Sequence, residues 1–435
     1  MTDALPQTQL AVKWYPPRCD VRLESVPVPR VQHPDDAIVK IELAGLCGSD
    51  LHAYRGLEDI SQPHVCGHEF VGHVVALGES FSPTSSPSRP PLYGTLRVGD
   101  KVISPFTTSC GDCRFCRLGF TARCVSSLLF GSPALPGAQA QYVRVPDAGG
   151  TLLPVEPSSP LNAILDKNLL LLADILPTGL FVAMQALAHP KLAPVLTGHP
   201  WPASESEFLK MEASASAAPL THEDRTLTVG LVGLGPVGLC AAIALIDRLA
   251  SLSVPLRIVA VDTNPIRRTK AQTIISTFSQ STLEELHVVD PDEAQVIVRK
   301  WGGGGCHAVL EVGHSISHRW VCPNMSHNAQ VVGTPPALTL SHGLLAPSGV
   351  LSSCGVHQAP ALPFTGREMY NTNMTLEFGR CNVRSLSDAA AGLLVRQQDA
   401  LSEVVERIVP LTNAVEAYER FESGEWGKVV FNVWA

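Results

Sequence analysis

LTVGLVGLGPVGLCAAIAL, residues 227–245, runs from an apolar strand through a glycine turn into an apolar helix. Gly233, Gly235 and Gly238 give the spacing G-x-G-x-x-G. The first glycine permits a tight turn, the second lets backbone approach a pyrophosphate, and the third lets the helix pack close on the strand. Pro236 and Val237 lie between them, where the opening turn of the helix offers N–H groups without intrahelical partners to a phosphate. RIVAVD, residues 257–262, follows as a second apolar strand and ends in Asp262. A carboxylate there accepts hydrogen bonds from both ribose hydroxyls of an adenosine and repels a 2′-phosphate, which favours NAD over NADP. Arg267 and Arg268 stand close enough behind it to weaken that preference. A strand, turn and helix without nucleotide is the plainer reading, and the strands on both sides argue against it.

Two clusters of metal-ligand residue types precede this stretch. In CGDCRFCRLGFTARC the cysteines Cys110, Cys113, Cys116 and Cys124 stand at C-x2-C-x2-C-x7-C. Four soft ligands this close can close a tetrahedral shell around one zinc ion and leave no open position; accidental clustering or paired disulfides are the alternatives. The second cluster starts at Cys47 in GLCGSDLHAYRG and continues at His68 and Glu69 in CGHEFVGHVVALG. A catalytic zinc needs about three protein ligands of mixed N, S and O character and one free position. Asp174 in LLADILPTG is the best acidic candidate for the third, because it follows an apolar run and precedes a Pro-Thr-Gly turn signal. Alone, Cys47 reads as a small buried hydrophobe and Asp174 as a helix cap.

Taken in order, GLCGSDLH, GHEFVG, the four-cysteine lobe, DILPTG and GLGPVG resemble the zinc-containing medium-chain alcohol dehydrogenases. Within them the resemblance is to the branch of glutathione-independent formaldehyde, polyol and threonine dehydrogenases, and it runs from about residue 10 to the C-terminus. It implies an α/β fold with a chaperonin-10-like β-barrel catalytic domain and a Rossmann doubly wound parallel-sheet cofactor domain. It implies catalytic zinc on Cys47 and His68, with Glu69 a nearby or alternating ligand and Asp174 replacing a cysteine of other branches. Two zinc ions per chain, NAD, a small alcohol or aldehyde substrate and a homodimer or homotetramer follow from the same resemblance. Lys428 in GEWGKVVF matches a basic residue that contacts the pyrophosphate, Arg380 in FGRCNVR approaches the nicotinamide side, and Thr178 and Gly179 pack near the nicotinamide ring.

The chemistry expected is hydride transfer from an alcohol or hydrated aldehyde, with zinc on Cys47, His68 and Asp174 lowering the pKa of the substrate hydroxyl. Ser49 can take the proton through its hydroxyl and His52 can pass it to solvent, at spacings that match the relay of the family. Turn capping by Ser49 and a surface position for His52 are the plainer readings. A zinc-free reductase of the same superfamily and an inactive cofactor-binding scaffold or sensor are the competing functions, and metal counting separates them. Aldehyde-dismutating relatives add a variant in which NAD is recycled within the site. Side chains near Tyr54, Leu129 and Phe130 are expected to shape the pocket.

With 435 residues, of which 45% are hydrophobic, the chain can bury two cores. Net charge −8 with scattered basic residues argues against a nucleic-acid surface. LNAILDKNLLLLADIL is interrupted by Asp166, Lys167 and Asn168, short of a membrane span, and the N-terminus lacks a secretory layout, so a cytoplasmic place is expected. Short β-rich runs separated by Pro and Gly fill the first part, and strand alternates with helix from 187 onward. The expected division is a zinc domain at 1–186 with its lobe at 105–128, an inserted cofactor domain at 187–375, and a segment at 376–435 that returns to the first domain. Three segments depart from a compact pattern. Residues 80–94 read as an exposed Pro/Ser loop, and residues 189–225 as a long linker or lid. Residues 314–333 look inserted, with a retained intron, a disordered insertion and a functional loop all open; His314, His318, Cys322 and His327 there lack a compact zinc spacing.

Overall fold

The computed structural model describes residues 5–84, 86, 88–202, 218–278, 282–312, 315–316, 331–332, 335–357 and 362–435. The chain forms two compact units: Met1–Pro177 with Asn382–Ala435 make up the first, and the described residues of Thr178–Cys381 the second. The chain therefore leaves the first unit after Pro177 rather than at 186, and returns at Asn382 rather than at 376.

The second unit is built on six strands: β1 (Leu227–Val232), β2 (Leu256–Val261), β3 (Leu283–Val289), β4 (Cys306–Glu311), β5 (Leu345–Ser353) and β6 (Thr375–Phe378). They are hydrogen-bonded in the order β3-β2-β1-β4-β5-β6, every neighbouring pair parallel. Every residue of β1 is buried, as a strand covered on both faces requires. The order reverses between β1 and β4, and the carboxyl ends of strands at such a reversal open the crevice where doubly wound sheets bind ligands. Local chemistry sets the helices. Gly235 precedes the helix Pro236–Leu252, with proline at the position where a missing N–H costs nothing. Asn264 caps the helix Pro265–Ile275 through the N–H groups of Ile266 and Arg267, and Asp290 caps Pro291–Lys300 in the same way. Val232, Val259, Val261, Val309 and Leu344 belong to a core on this sheet.

The first unit holds a seven-stranded sheet centred on Ala37–Leu46, which pairs with Phe70–Leu77, Tyr142–Val145 and the C-terminal strand Lys428–Asn432. A three-stranded sheet adds Asp20–Pro27, Thr8–Tyr15 and His64–Val65. Residues 139–141 tie the two sheets together: the Gln139 and Gln141 carbonyls accept from Val12 (2.8 Å) and Ile41 (2.9 Å), and the Gln141 N–H donates to Leu10 (3.2 Å). Trp14, Phe70, Tyr418 and Phe431 fill the core of this unit.

The Pro/Ser segment at 80–94 is more than a loop. Tyr93 is buried, its ring 4.9 Å from Phe81 and beneath the Arg89 guanidinium, so the aromatic pair anchors an otherwise exposed turn. The stretch 189–225 opens with the short helical turns Pro190–Leu192 and Ala193–Thr197 rather than as free linker. Residues 203–217 lie outside the described residues, as do His314, His318, Cys322 and His327 and all of 314–333 except 315–316 and 331–332, which pair as two short antiparallel strands.

Candidate metal centres and cofactor turn

Cys47 follows the strand Ala37–Leu46, His68 precedes the strand Phe70–Leu77, and Asp174 stands at the break between the turn Leu170–Ala173 and the helix Ile175–Leu187. Three separate elements of the first unit thus bring one ligand atom each to within 4.8 Å of the others. Asp174 Oδ2 lies 3.5 Å from Cys47 Sγ and 3.4 Å from His68 Nε2. All three side chains are buried. Asp50 faces the other ring nitrogen of His68, with Oδ1 3.2 Å from Nδ1, and its Oδ2 accepts from the Cys47 N–H at 2.9 Å. Asp50 therefore holds His68 in the tautomer that aims a lone pair at the cluster. Burial opposes charge on His68, yet Asp50 and Asp174 raise its pKa well above the usual imidazole value. Burial and the nearby carboxylates of Glu69 and Asp174 push the Cys47 thiol up. Sulfur, nitrogen and carboxylate oxygen converge in a site that draws positive charge, and a divalent cation of zinc's ligand preference satisfies all three.

Glu69 does not join this cluster. Its carboxylate is fully buried and paired with the Lys428 ammonium, while Oε1 has no hydrogen-bond partner among the described residues. Gly45 makes room for it, since a Cβ there would lie 2.0 Å from Glu69 Oε2. Lys428 also donates to the Leu46 carbonyl at 3.2 Å and is buried, so the structure pairs it with Glu69 at the end of the strand Ala37–Leu46. Its charge persists because Glu69 offsets the burial that would otherwise remove the proton. Ser49 Oγ lies within hydrogen-bond distance of His68 Nε2, at 3.2 Å. His52 is buried instead of on the surface, with Nδ1 3.8 Å from Glu58 Oε1.

The ligand atoms of Cys110, Cys113, Cys116 and Cys124 also lie within 4.8 Å of one another, and none of the four is in a disulfide. Backbone N–H groups aim at the sulfurs: Cys110 N–H donates to Cys124 Sγ at 3.2 Å and Cys113 N–H to Cys110 Sγ at 3.3 Å. The Cys116 and Val125 N–H groups pull the Cys113 thiol down to about 6, whereas burial pushes Cys110 up to about 12. Four thiols on polar, donor-rich backbone suit a closed tetrathiolate site. The C-terminal segment steadies this lobe, with Asn382 Oδ1 accepting from the Ala122 N–H (3.0 Å) and Ser385 Oγ donating to the Gly119 carbonyl (2.7 Å).

In the second unit, Gly233 adopts φ +100° and a Cβ on Gly238 would sit 2.0 Å from the Gly233 carbonyl oxygen, so both are demanded by the turn itself. Gly235 differs, because a Cβ there would meet nothing within 4 Å. That open face, at the N-terminus of a long helix, leaves room for a phosphate group beside unpartnered N–H groups. Asp262 follows β2 directly and is buried; its Oδ2 accepts from the Leu234 N–H and Oδ1 from the Asn264 N–H, both at 2.8 Å, which aims the carboxylate along the glycine turn. Arg267 stays 3.8 Å from Asp262 Oδ2, and Arg268 turns back onto the carbonyls of Asp262 and Thr263. Gly179 packs on the helix Pro236–Leu252, where a Cβ would come within 2.6 Å of the Ala241 nitrogen. Thr178 begins the second unit beside it, and Arg380 follows β6. Tyr54 and Phe130 prove to be core residues against Tyr418 and Phe70, while Leu129 is exposed.

Asp50 was absent from the sequence-derived site, although its signal was present: a carboxylate three residues after the ligand Cys47, at the start of the helix Asp50–Tyr54. The alcohol dehydrogenase GroES-like domain model matches residues 33–156. Zinc-type alcohol dehydrogenase B of Aspergillus flavus is 34% identical over 411 residues, covering 94% of this chain and 78% of that protein. Medium chain reductase/dehydrogenase ucsI of Acremonium sp is 34% identical over 367 residues, 84% of this chain and 99% of its own. Among solved structures, alcohol dehydrogenase TADH from Thermus sp. ATN1 superposes with a TM-score of 0.71 at 27% identity, over 97% of this chain and 99% of that one. With its two ligand clusters and its glycine turn in place, the chain belongs to the zinc-containing medium-chain alcohol dehydrogenase family.

Proposed function

We propose that this zinc-dependent alcohol and aldehyde oxidoreductase holds two zinc ions per chain, one on Cys47, His68 and Asp174 and one on the four cysteines, and uses NAD in preference to NADP. The convergence of Cys47, His68 and Asp174 carries the reading, since a zinc-free reductase has no need of a buried thiol, imidazole and carboxylate facing one another. When bound, zinc supplies Lewis acidity to the substrate oxygen and the nicotinamide supplies the hydride acceptor. The protein's part is to orient and to move a proton. Asp50 fixes the His68 tautomer, Ser49 takes the substrate proton at Oγ as its own hydroxyl proton leaves, and His52, beside half-exposed Glu58, passes a proton outward. Asp262 supports NAD because its carboxylate would repel a 2′-phosphate, and Arg268, turned back onto backbone carbonyls, does little to attract one. Arg267 and Arg380 contribute from the second unit, with Thr178 beside the nicotinamide half.

The substrate is a small primary alcohol, secondary alcohol, polyol or hydrated aldehyde, the protein assembles as a dimer or tetramer, and its five reduced zinc-ligand thiols suit the cytosol. No single described helix is long and apolar enough to cross a membrane. The test is zinc per chain measured together with NADH formation over a panel of short alcohols, polyols and formaldehyde, against a Cys47→Ala control. Two zinc ions and turnover lost in the control support the proposal. Full zinc without turnover turns the reading to an inactive scaffold.

A further inference from the structure

Behind His68 lies a hydrogen-bond chain that ends far from the metal ligands in sequence. Asp50, whose Oδ1 faces His68 Nδ1, is itself held at Oδ2 by the Gln139 side-chain amide at 3.3 Å. The same Nε2 donates to the Gly45 carbonyl at 3.0 Å, and Gln139 Oε1 accepts from the Tyr418 hydroxyl at 2.9 Å. Gln139 and Tyr418 are both fully buried. Acceptors on one side and a hydroxyl donor on the other leave the Gln139 amide a single satisfied orientation, N toward Asp50 and O toward Tyr418. Gln139 also packs on the residue before His68: Gly67 has φ +92°, and a Cβ there would lie 2.5 Å from Gln139 Cγ. Tyr418 belongs to the helix Ala414–Glu422, which also meets the site-bearing helix through the Tyr54 ring at 5.3 Å and through Glu422, on which Arg55 Nε donates at 2.6 Å.

We infer that Gln139 and Tyr418 are positioning residues for the catalytic zinc, acting through Asp50 on His68, so that the C-terminal helix sets the affinity of a metal site it does not touch. The inference rests on the zinc assignment of Cys47, His68 and Asp174. Gln139 donates to the Asp50 carboxylate and so sets both its place and the strength with which it draws the His68 Nδ1 proton. Losing that donor frees Asp50 to turn and loosens the imidazole, and outer partners of a metal-bound histidine are worth roughly 10–100-fold in metal affinity.

The test is chelator competition on the zinc-loaded protein, with metal counted per chain, for wild type, Gln139→Met, Gln139→Glu, Tyr418→Phe and Gln139→Met/Tyr418→Phe. The four-cysteine zinc serves as the internal control. The first zinc should be released about 10-fold more easily from Gln139→Met and about 100-fold from Gln139→Glu, which sets an acceptor against Asp50. Tyr418→Phe should show a smaller loss, and adding it to Gln139→Met should change release no further, because both act on one chain. Cobalt in the first site should give a d–d spectrum shifted in the Gln139 variants. All three substitutions keep side-chain volume, so a purely packing role predicts release and spectrum like wild type, and that outcome overturns the inference. Equal loss of both zinc ions overturns it as well, since it marks general unfolding. A wild-type protein that binds only the four-cysteine zinc overturns the zinc assignment itself, before any variant is compared.

Discussion

At the residue scale, the two ligand sets and the glycine turn make separable predictions. Cys47→Ala should reduce zinc from two ions to one and lower turnover by about a thousandfold or more, the scale of losing a Lewis acid worth several kcal/mol. Zinc analysis and single-turnover kinetics check it. The glycines divide by what their missing side chains would meet. Gly238→Ala drives a Cβ into the Gly233 carbonyl and should cost about 1–3 kcal/mol of stability, seen as a lower urea midpoint. Gly235→Val points into open space and should leave the midpoint nearly unchanged while raising the NAD dissociation constant about tenfold or more. A stability loss at Gly235 equal to that at Gly238 would sink the cradle argument. Glu69 and Lys428 show the limit of reading residues singly. The resemblance gave each of them a different ligand, and in the fold they pair with one another.

At the scale of elements, the β1 and β4 pairing carries a pH dependence. His307 Nδ1 accepts from the Thr228 N–H at 3.1 Å and lies 2.7 Å from the Thr228 hydroxyl, so protonating it removes an acceptor from a backbone donor. Burial lowers the His307 pKa below its usual value of 6.5. A base with a depressed folded pKa stabilises the fold above its unfolded value and loses that contribution as pH falls through the lower folded value. Urea midpoints compared between pH 7.5 and 5 should therefore fall more steeply for wild type than for His307→Gln, and parallel slopes would remove His307 as the cause. The strands themselves were readable because β1, β2 and β4 are short apolar runs beside glycine or an N-capping residue, signals that act within a few residues. The segment at 80–94 was misjudged because Tyr93 is held by Phe81 and Arg89, contacts that composition does not register.

At the scale of the molecule, the C-terminal segment is a structural part of the first unit. Lys428–Asn432 lies between Val405–Pro410 and Ala37–Leu46 in the seven-stranded sheet, and Lys428 neutralises buried Glu69. Deleting residues 428–435 should remove an interior strand and leave a buried carboxylate unpaired, losing about 3–5 kcal/mol from the ion pair alone. Soluble yield and circular dichroism check it, with failure to fold as the expected outcome.

What the amino-acid order determined by itself was local in kind. Close-spaced cysteines and a G-x-G-x-x-G turn between apolar strand and helix act through neighbours along the chain, and they disclose the doubly wound sheet and the four-cysteine lobe. The ligands Cys47, His68 and Asp174 were legible only as candidates, because three elements must meet before they share an ion. The tertiary structure alone decided the rest. It set Asp50 behind His68, Gln139 behind Asp50 and Tyr418 behind Gln139, turned Lys428 onto Glu69, and placed Tyr54 and Phe130 in the core. Each of these depends on which buried donor faces which buried acceptor across long stretches of chain, and no periodicity or spacing encodes such a meeting.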